Sequence, residues 1–128
     1  MAKFLSEEWG TAVREALNAN ENFKNAAKGV EICIQQVISN VPGQGEVKYW
    51  TKISNGTVEG GIGDAPSPDV TIAQDYETAA ALNRGELNAQ AAFMQGKLKV
   101  TGNMGKLLQH QGVIQAMQPV IQSIATEY

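Results

Sequence analysis

Asn55-Gly56 is the dipeptide favoured by a two-residue type I′ turn, because both central positions of that turn need positive φ. Upstream of it Val47, Tyr49, Thr51 and Ile53 alternate with Lys48, Trp50 and Lys52; downstream lie Val58 and Ile62. Two period-two runs joined by so short a loop pair antiparallel, so this segment commits the chain to a β-sheet. An earlier run continues the pattern, with Val30, Ile32 and Ile34 alternating with Glu31, Cys33 and Gln35, and the turn cluster Pro42-Gly43-Gln44-Gly45 leads from it into the hairpin. Asp69–Ala73 adds a short strand through Val70 and Ile72, and Lys97–Thr101 adds one with a wet face.

Helices bracket and interrupt these strands. Trp9, Ala12, Val13, Ala16 and Leu17 recur at the spacing of one helical face behind Ser6 as N-cap, and the Asn-rich stretch Asn18–Asn25 ends that pattern. Asp75 can cap a short helix closed by Gly85, a second short helix runs from Asn88 to Gln95, and Asn103 opens the last helical region. There Leu107, Leu108, Val113, Ile114, Met117, Val120, Ile121 and Ile124 repeat helically, while Gly112 and Pro119 predict two shorter helices or one kinked helix. With no internal repeat and no linker, residues 1–128 read as one α+β domain: a mostly antiparallel sheet of about five strands covered by helices.

Charge and length exclude several functions. A formal net charge of −3, with no concentrated Lys/Arg segment, argues against nucleic acid as a partner. No run approaches the ~18 apolar residues of a membrane span, so stable membrane insertion is not expected. The N-terminus MAKFLSEEWG builds no secretory signal, the C-terminus ATEY is not a Ser-Lys-Leu address, and Cys33 is the lone cysteine; a reducing cytoplasm is the expected compartment.

Catalytic and metal constellations are likewise missing from the pattern. His110 has no second His, second Cys or nearby Asp, so neither a metal site nor a general base is expected. Ser6, Ser39, Ser54, Ser67 and Ser123 occur in no GxSxG context, and Cys33 inside an apolar strand reads as an inert core thiol. Gly61-Ile62-Gly63-Asp64-Ala65-Pro66 starts like a dinucleotide fingerprint, but proline stands where the third glycine belongs and no long helix opens there. No cofactor and no enzymatic activity are expected. Asn55-Gly56-Thr57 matches a glycosylation sequon but is accounted for by the hairpin turn.

The order of elements, with PDVTI at Pro68–Ile72 and AFMQGKLKVTGNMGKLL at Ala92–Leu108, resembles the sterol carrier protein 2 family. The markers are an aromatic before the loop Gly96-Lys97-Leu98-Lys99, then Gly102 ahead of the final helices, preceded by Arg84-Gly85-Glu86. The resemblance implies a helix-covered sheet around an apolar cavity that holds a fatty acid, fatty acyl-CoA or sterol-like molecule, with no catalysis.

For such a cavity, between sheet and C-terminal helices, the lining candidates are Phe93, Met94, Met104, Leu108, Met117 and Ile121, with Ile32, Ile34 and Trp50 on the sheet side. Trp50 lies on the opposite strand face from Tyr49, and periodicity leaves open which face is inner. Lys97, Lys99 and Lys106 could meet a headgroup at the mouth, against the plainer reading of a solvated face. The rival reading is an interaction module, such as a homodimer formed through the apolar C-terminal face.

Overall fold

A computed structural model describes residues 2–128. The main sheet contains β2 (Glu31–Val41), β3 (Gly45–Ser54), β4 (Thr57–Ile62), β5 (Val70–Asp75) and β6 (Lys99–Gly102), in the spatial order β4-β3-β2-β5-β6. Three neighbouring pairs are antiparallel and the central β2–β5 pair is parallel, so the sheet is mixed but mostly antiparallel, as expected. The turn between β3 and β4 has Asn55 at φ 45° and Gly56 at φ 88°, both in the left-handed region that the dipeptide was chosen to supply. That turn sets Ile53 opposite Val58, and the next ladder sets Ile32 opposite Ile53 and Ile38 opposite Val47. All five side chains are buried and share one face.

Helix α1 (Glu7–Ala19) begins as the sequence predicts, with Ser6 Oγ accepting from the Trp9 amide at 3.1 Å, and it buries Trp9, Val13 and Leu17. It lies over β4, where Asn18 forms a two-way bond with Val58: its Nδ2 donates to the carbonyl at 3.1 Å and its Oδ1 accepts from the amide at 2.8 Å. The otherwise free sheet edge is thus partly satisfied by a helix side chain. Asn18–Asn25 does not simply end the helical pattern. Asn20 Oδ1 accepts from the Phe23 amide at 2.9 Å and starts α2 (Glu21–Ala26), which sends Phe23 fully into the core.

Helix α3 (Tyr76–Asn83), capped by Asp75 Oδ1 on the Thr78 amide at 2.8 Å, packs over β2 and β5. Helix α4 (Ala89–Met94) precedes β6, and α5 (Met104–Gln109) follows it behind the Asn103 cap. Helix α6 (Gln111–Gln122) packs against α1, α2 and α3. The break in the C-terminal helical region falls at His110, with Pro119 retained inside α6. Gly112 therefore sits in a helix's first turn, where its weak helix propensity costs least. The strands β1 (Ala2–Lys3) and β7 (Thr126–Glu127) pair in parallel and tie the two chain ends together, a pairing too short to show as periodicity.

Candidate functional site

Strand alternation makes the two faces of the sheet chemically different. The helix-covered face presents Ile32, Ile34, Gln36 and Ile38 from β2, Tyr49, Thr51 and Ile53 from β3, and Val70, Ile72 and Gln74 from β5. None of its positions on the five strands is occupied by Asp, Glu, Lys or Arg. Glu31, Lys48, Lys52, Glu59 and Lys99 all fall on the opposite face. The inner wall is thus apolar with a narrow polar strip formed by Gln36 and Gln74, whose amides are joined by a 2.9 Å bond from Gln74 Nε2 to Gln36 Oε1.

Of the residues proposed from sequence to line this wall, the structure brings four together. Ile32 and Ile34 are buried on the inner face, Met117 is buried in α6, and Ile121 packs on the same core while keeping some surface. Met104 is half-buried at the start of α5. Phe93 is 47% exposed, Met94 79% and Leu108 59%, so these three stand outside the core. The reason is helical geometry: α4 turns Ala92 inward, which rotates the next two residues away, and on α5 Leu107 packs on the core, leaving Leu108 about 100° around the axis. Trp50 belongs to the outer face, across from Gln35 and Gly61, and its indole lies against Gly61. The face of Tyr49 is the inner one.

The sequence reading did not name Trp9 or Ile72 for this wall, held Ile114 as a secondary candidate, left the face of Tyr49 open, and missed Gln36 and Gln74 as its polar strip. Strand parity was the available signal, since Gln36 and Gln74 occupy inward positions that would otherwise carry apolar side chains. Tyr49 meets the Trp9 ring edge-on at a centroid distance of 6.0 Å. Burial pushes the Tyr49 phenol far above its usual pKa, so it is neutral across the physiological range. Phe4 packs edge-on against Trp9 at 5.0 Å and is tilted towards Tyr76 and Tyr128 at 5.9 Å and 5.1 Å, closing that end of the wall with aromatic surface.

Cys33 and Asp69 are constrained by their surroundings. Burial, then the nearby Asp69 carboxylate, pushes the Cys33 thiol pKa up, disfavouring the nucleophilic thiolate. Asp69 is itself engaged, accepting the Cys33 amide at 2.7 Å and pairing with Lys106 at 3.2 Å, which draws Lys106 into a structural contact. Among the described residues no group of three or more His, Cys, Asp and Glu could hold a metal ion, and no helix is long and apolar enough to cross a membrane. One cleft of about 300 Å³ lies between Ala26 and Val30 on one side and Gln109, His110, Gly112 and Val113 on the other, at the α5–α6 junction. Another, of about 250 Å³, lies between the first turns of α1 and Gly61-Ile62.

The fold and the wall define a class: a small α+β domain whose mixed sheet carries a charge-free inner face under helices and keeps its charges on the other face. The chain belongs to the SCP-2 sterol transfer family, whose model matches residues 13–115. It is 32% identical over 108 residues to the peroxisomal multifunctional enzyme A of Dictyostelium discoideum, covering 75% of this chain and 24% of that protein. It is 27% identical over 110 residues to a fatty acid-binding protein of Yarrowia lipolytica, covering 83% of this chain and 85% of that one. A crystal structure of sterol carrier protein 2 superposes with a TM-score of 0.82 at 23% identity, covering 96% of this chain and all of that one. Against the multifunctional enzyme and the animal sterol carrier proteins, the chain spans about a quarter of their length or less.

Proposed function

We propose that this domain binds and carries an apolar lipid-like molecule, of the fatty acid, fatty acyl-CoA or sterol class, between the inner sheet face and the C-terminal helices, without catalysing a reaction. The observation that carries this reading is the uncharged inner wall faced by apolar side chains that pack on the core yet keep some surface: Tyr49 and Ile72 from the sheet, Ile114 and Ile121 from α6. Ile32, Ile34 and Met117 form the floor behind them, and Met104 lies towards the α5 end. Phe93, Met94 and Leu108 stand at the periphery, where they would meet a ligand on entry rather than hold it. The name of the Yarrowia relative, a fatty acid-binding protein, supports the ligand class.

Burying an acyl chain of about a dozen methylenes at ~0.8 kcal/mol each would contribute about 10 kcal/mol before association costs, which leaves affinities in the micromolar range. The reading places the carrier in the reducing cytoplasm, supported by a single buried thiol, Cys33. The test is native mass spectrometry of the protein as purified and after delipidation, followed by titration with a C12–C18 lipid series. A co-purified lipid mass and saturable micromolar binding are expected. A ligand-free protein that binds no member of the series overturns the proposal, and a ligand-free dimer would assign the apolar face to self-association.

A further inference from the structure

The inner wall contains two buried polar atoms with no partner in the protein. Trp9 is only 5% exposed, and its indole Nε1–H, a donor with no acceptor capacity, meets no acceptor. Gln74 Oε1, an acceptor, is equally buried and meets no donor, although its own Nε2 is committed to Gln36. Such a group is costly when left unsatisfied inside a protein. The two border one strip: Trp9 packs on Tyr49, Tyr49 faces Gln36 across the β2–β3 ladder, and Gln36 bonds to Gln74. Tyr49 adds a phenol at the centre of the strip. It is packed closely enough for burial to raise its pKa strongly, yet it keeps some accessible surface.

The chemistry of the strip is selective. It offers a donor from the indole, an acceptor from a carboxamide and a neutral phenol that can do either; the inner face of the sheet adds no Lys or Arg, and Arg84, over the Tyr128 ring at 5.0 Å, is paired with Glu86. Arg14, which lies beside the β4 edge at Gly60, turns a guanidinium nitrogen to Thr11 Oγ1 at 3.2 Å on its own helix. An ionised carboxylate or phosphate placed against Gln74 Oε1 would meet an acceptor and lose its hydration with no compensating cation on the sheet. A hydroxyl group is the uncharged group that suits either orphan, able to donate to Gln74 Oε1 or to accept from Trp9 Nε1–H.

Resting on the carrier reading above, we propose that the Trp9–Tyr49–Gln36–Gln74 strip is the polar subsite of the lipid pocket and selects an uncharged, hydroxyl-bearing ligand over an ionised one of equal chain length. The test is displacement of a neutral apolar fluorophore, N-phenyl-1-naphthylamine, by 1-dodecanol, dodecanoate and dodecyl phosphate at pH 7.5. Dodecanol is expected to compete at least tenfold more tightly than either anion. Gln74→Met and Trp9→Phe, each first checked for cooperative thermal unfolding, are expected to cut that preference by about tenfold while the fluorophore itself still binds. The two variants act on opposite ends of the strip, so loss of one to misfolding leaves the other to decide. Equal or tighter competition by the anions, or a dodecanol preference unchanged in a folded variant, overturns the polar subsite and leaves the carrier reading standing. No binding of the fluorophore or of any competitor overturns both.

Discussion

Gln35 offers a stringent test of how the outer face is held together. It is 5% exposed on β2, and its carboxamide is fully used: Nε2 donates to the carbonyls of Tyr49 at 3.1 Å, Gly63 at 3.1 Å and Gln36 at 3.2 Å, while Oε1 accepts from the Ala65 amide at 2.6 Å. One side chain thus joins β2 and β3 to the loop after β4. Gln35→Glu preserves shape but replaces the donor. Protonated, the acid still donates one O–H, so the loss is about one hydrogen bond, ~1 kcal/mol. Ionised, it sets a negative charge against three carbonyl oxygens with no donor between them. A further penalty of ~4 kcal/mol raises the folded-state pKa by about 3 units above the ~4.3 of an unfolded glutamate. A raised folded pKa means the stability of the variant is greatest below the unfolded value and is lost as pH rises. Relative to the parent, it should fall by ~1.4 kcal/mol per pH unit between about pH 4.3 and pH 7, then level off. Urea unfolding followed by tryptophan fluorescence across pH 3.5–8 measures this, with Gln35→Met as a control whose cost of about 2–4 kcal/mol should not vary with pH. A penalty for Gln35→Glu that is flat across this range, or that shrinks as pH rises, would refute the reasoning.

Gly102 and Gly112 should respond to alanine with opposite signs. At Gly102, φ is 105° and a Cβ would stand 2.5 Å from the Asp69 carbonyl oxygen and 3.1 Å from Val70 Cα, so Gly102→Ala should destabilise by ~3 kcal/mol or more and loosen β6, read by urea midpoint and amide exchange. Gly112 meets nothing within 4 Å in the first turn of α6, and Gly112→Ala should stabilise by about 0.5 kcal/mol in the same unfolding assay. Asp75 is held below its usual pKa, chiefly by the Thr78 amide it caps, then by the Thr78 hydroxyl and by Lys97. Its contribution is therefore present above the unfolded aspartate pKa and is lost as pH falls from there through the depressed folded value; Asp75→Asn should flatten that acid limb of the stability profile, while Asp75→Ala should cost ~1 kcal/mol at neutral pH.

The division between what sequence revealed and what it concealed follows the range over which each signal acts. Asn55-Gly56 determines its own backbone and the pairing of its immediate flanks, so the hairpin, its register and the strand alternation were all legible within ten residues. Ser6, Asp75, Asn88 and Asn103 cap their helices for the same local reason. Asn20 does so as well, but it was read as a terminator because a cap closing one helix and opening the next has the same composition as a loop. The site depends on longer-range facts. Period two shows that Tyr49 and Trp50 face opposite ways, but only the packing of α1 against the β3–β4 hairpin decides that Tyr49 meets Trp9 while Trp50 lies over Gly61. Helical spacing likewise grouped Leu107 with Leu108, yet a rotation of 100° sends one to the core and the other to 59% exposure. The polar strip was hidden for a further reason: glutamine in a strand reads as an outward residue, so Gln36 and Gln74 each look like a lapse in an apolar pattern. Their meaning emerges only when the parallel pairing of β2 with β5 brings two such lapses, thirty-eight residues apart, within hydrogen-bonding distance on the buried face. A sequence search that fixes strand parity first, and then asks which inward positions are polar, would find such strips before any coordinates exist.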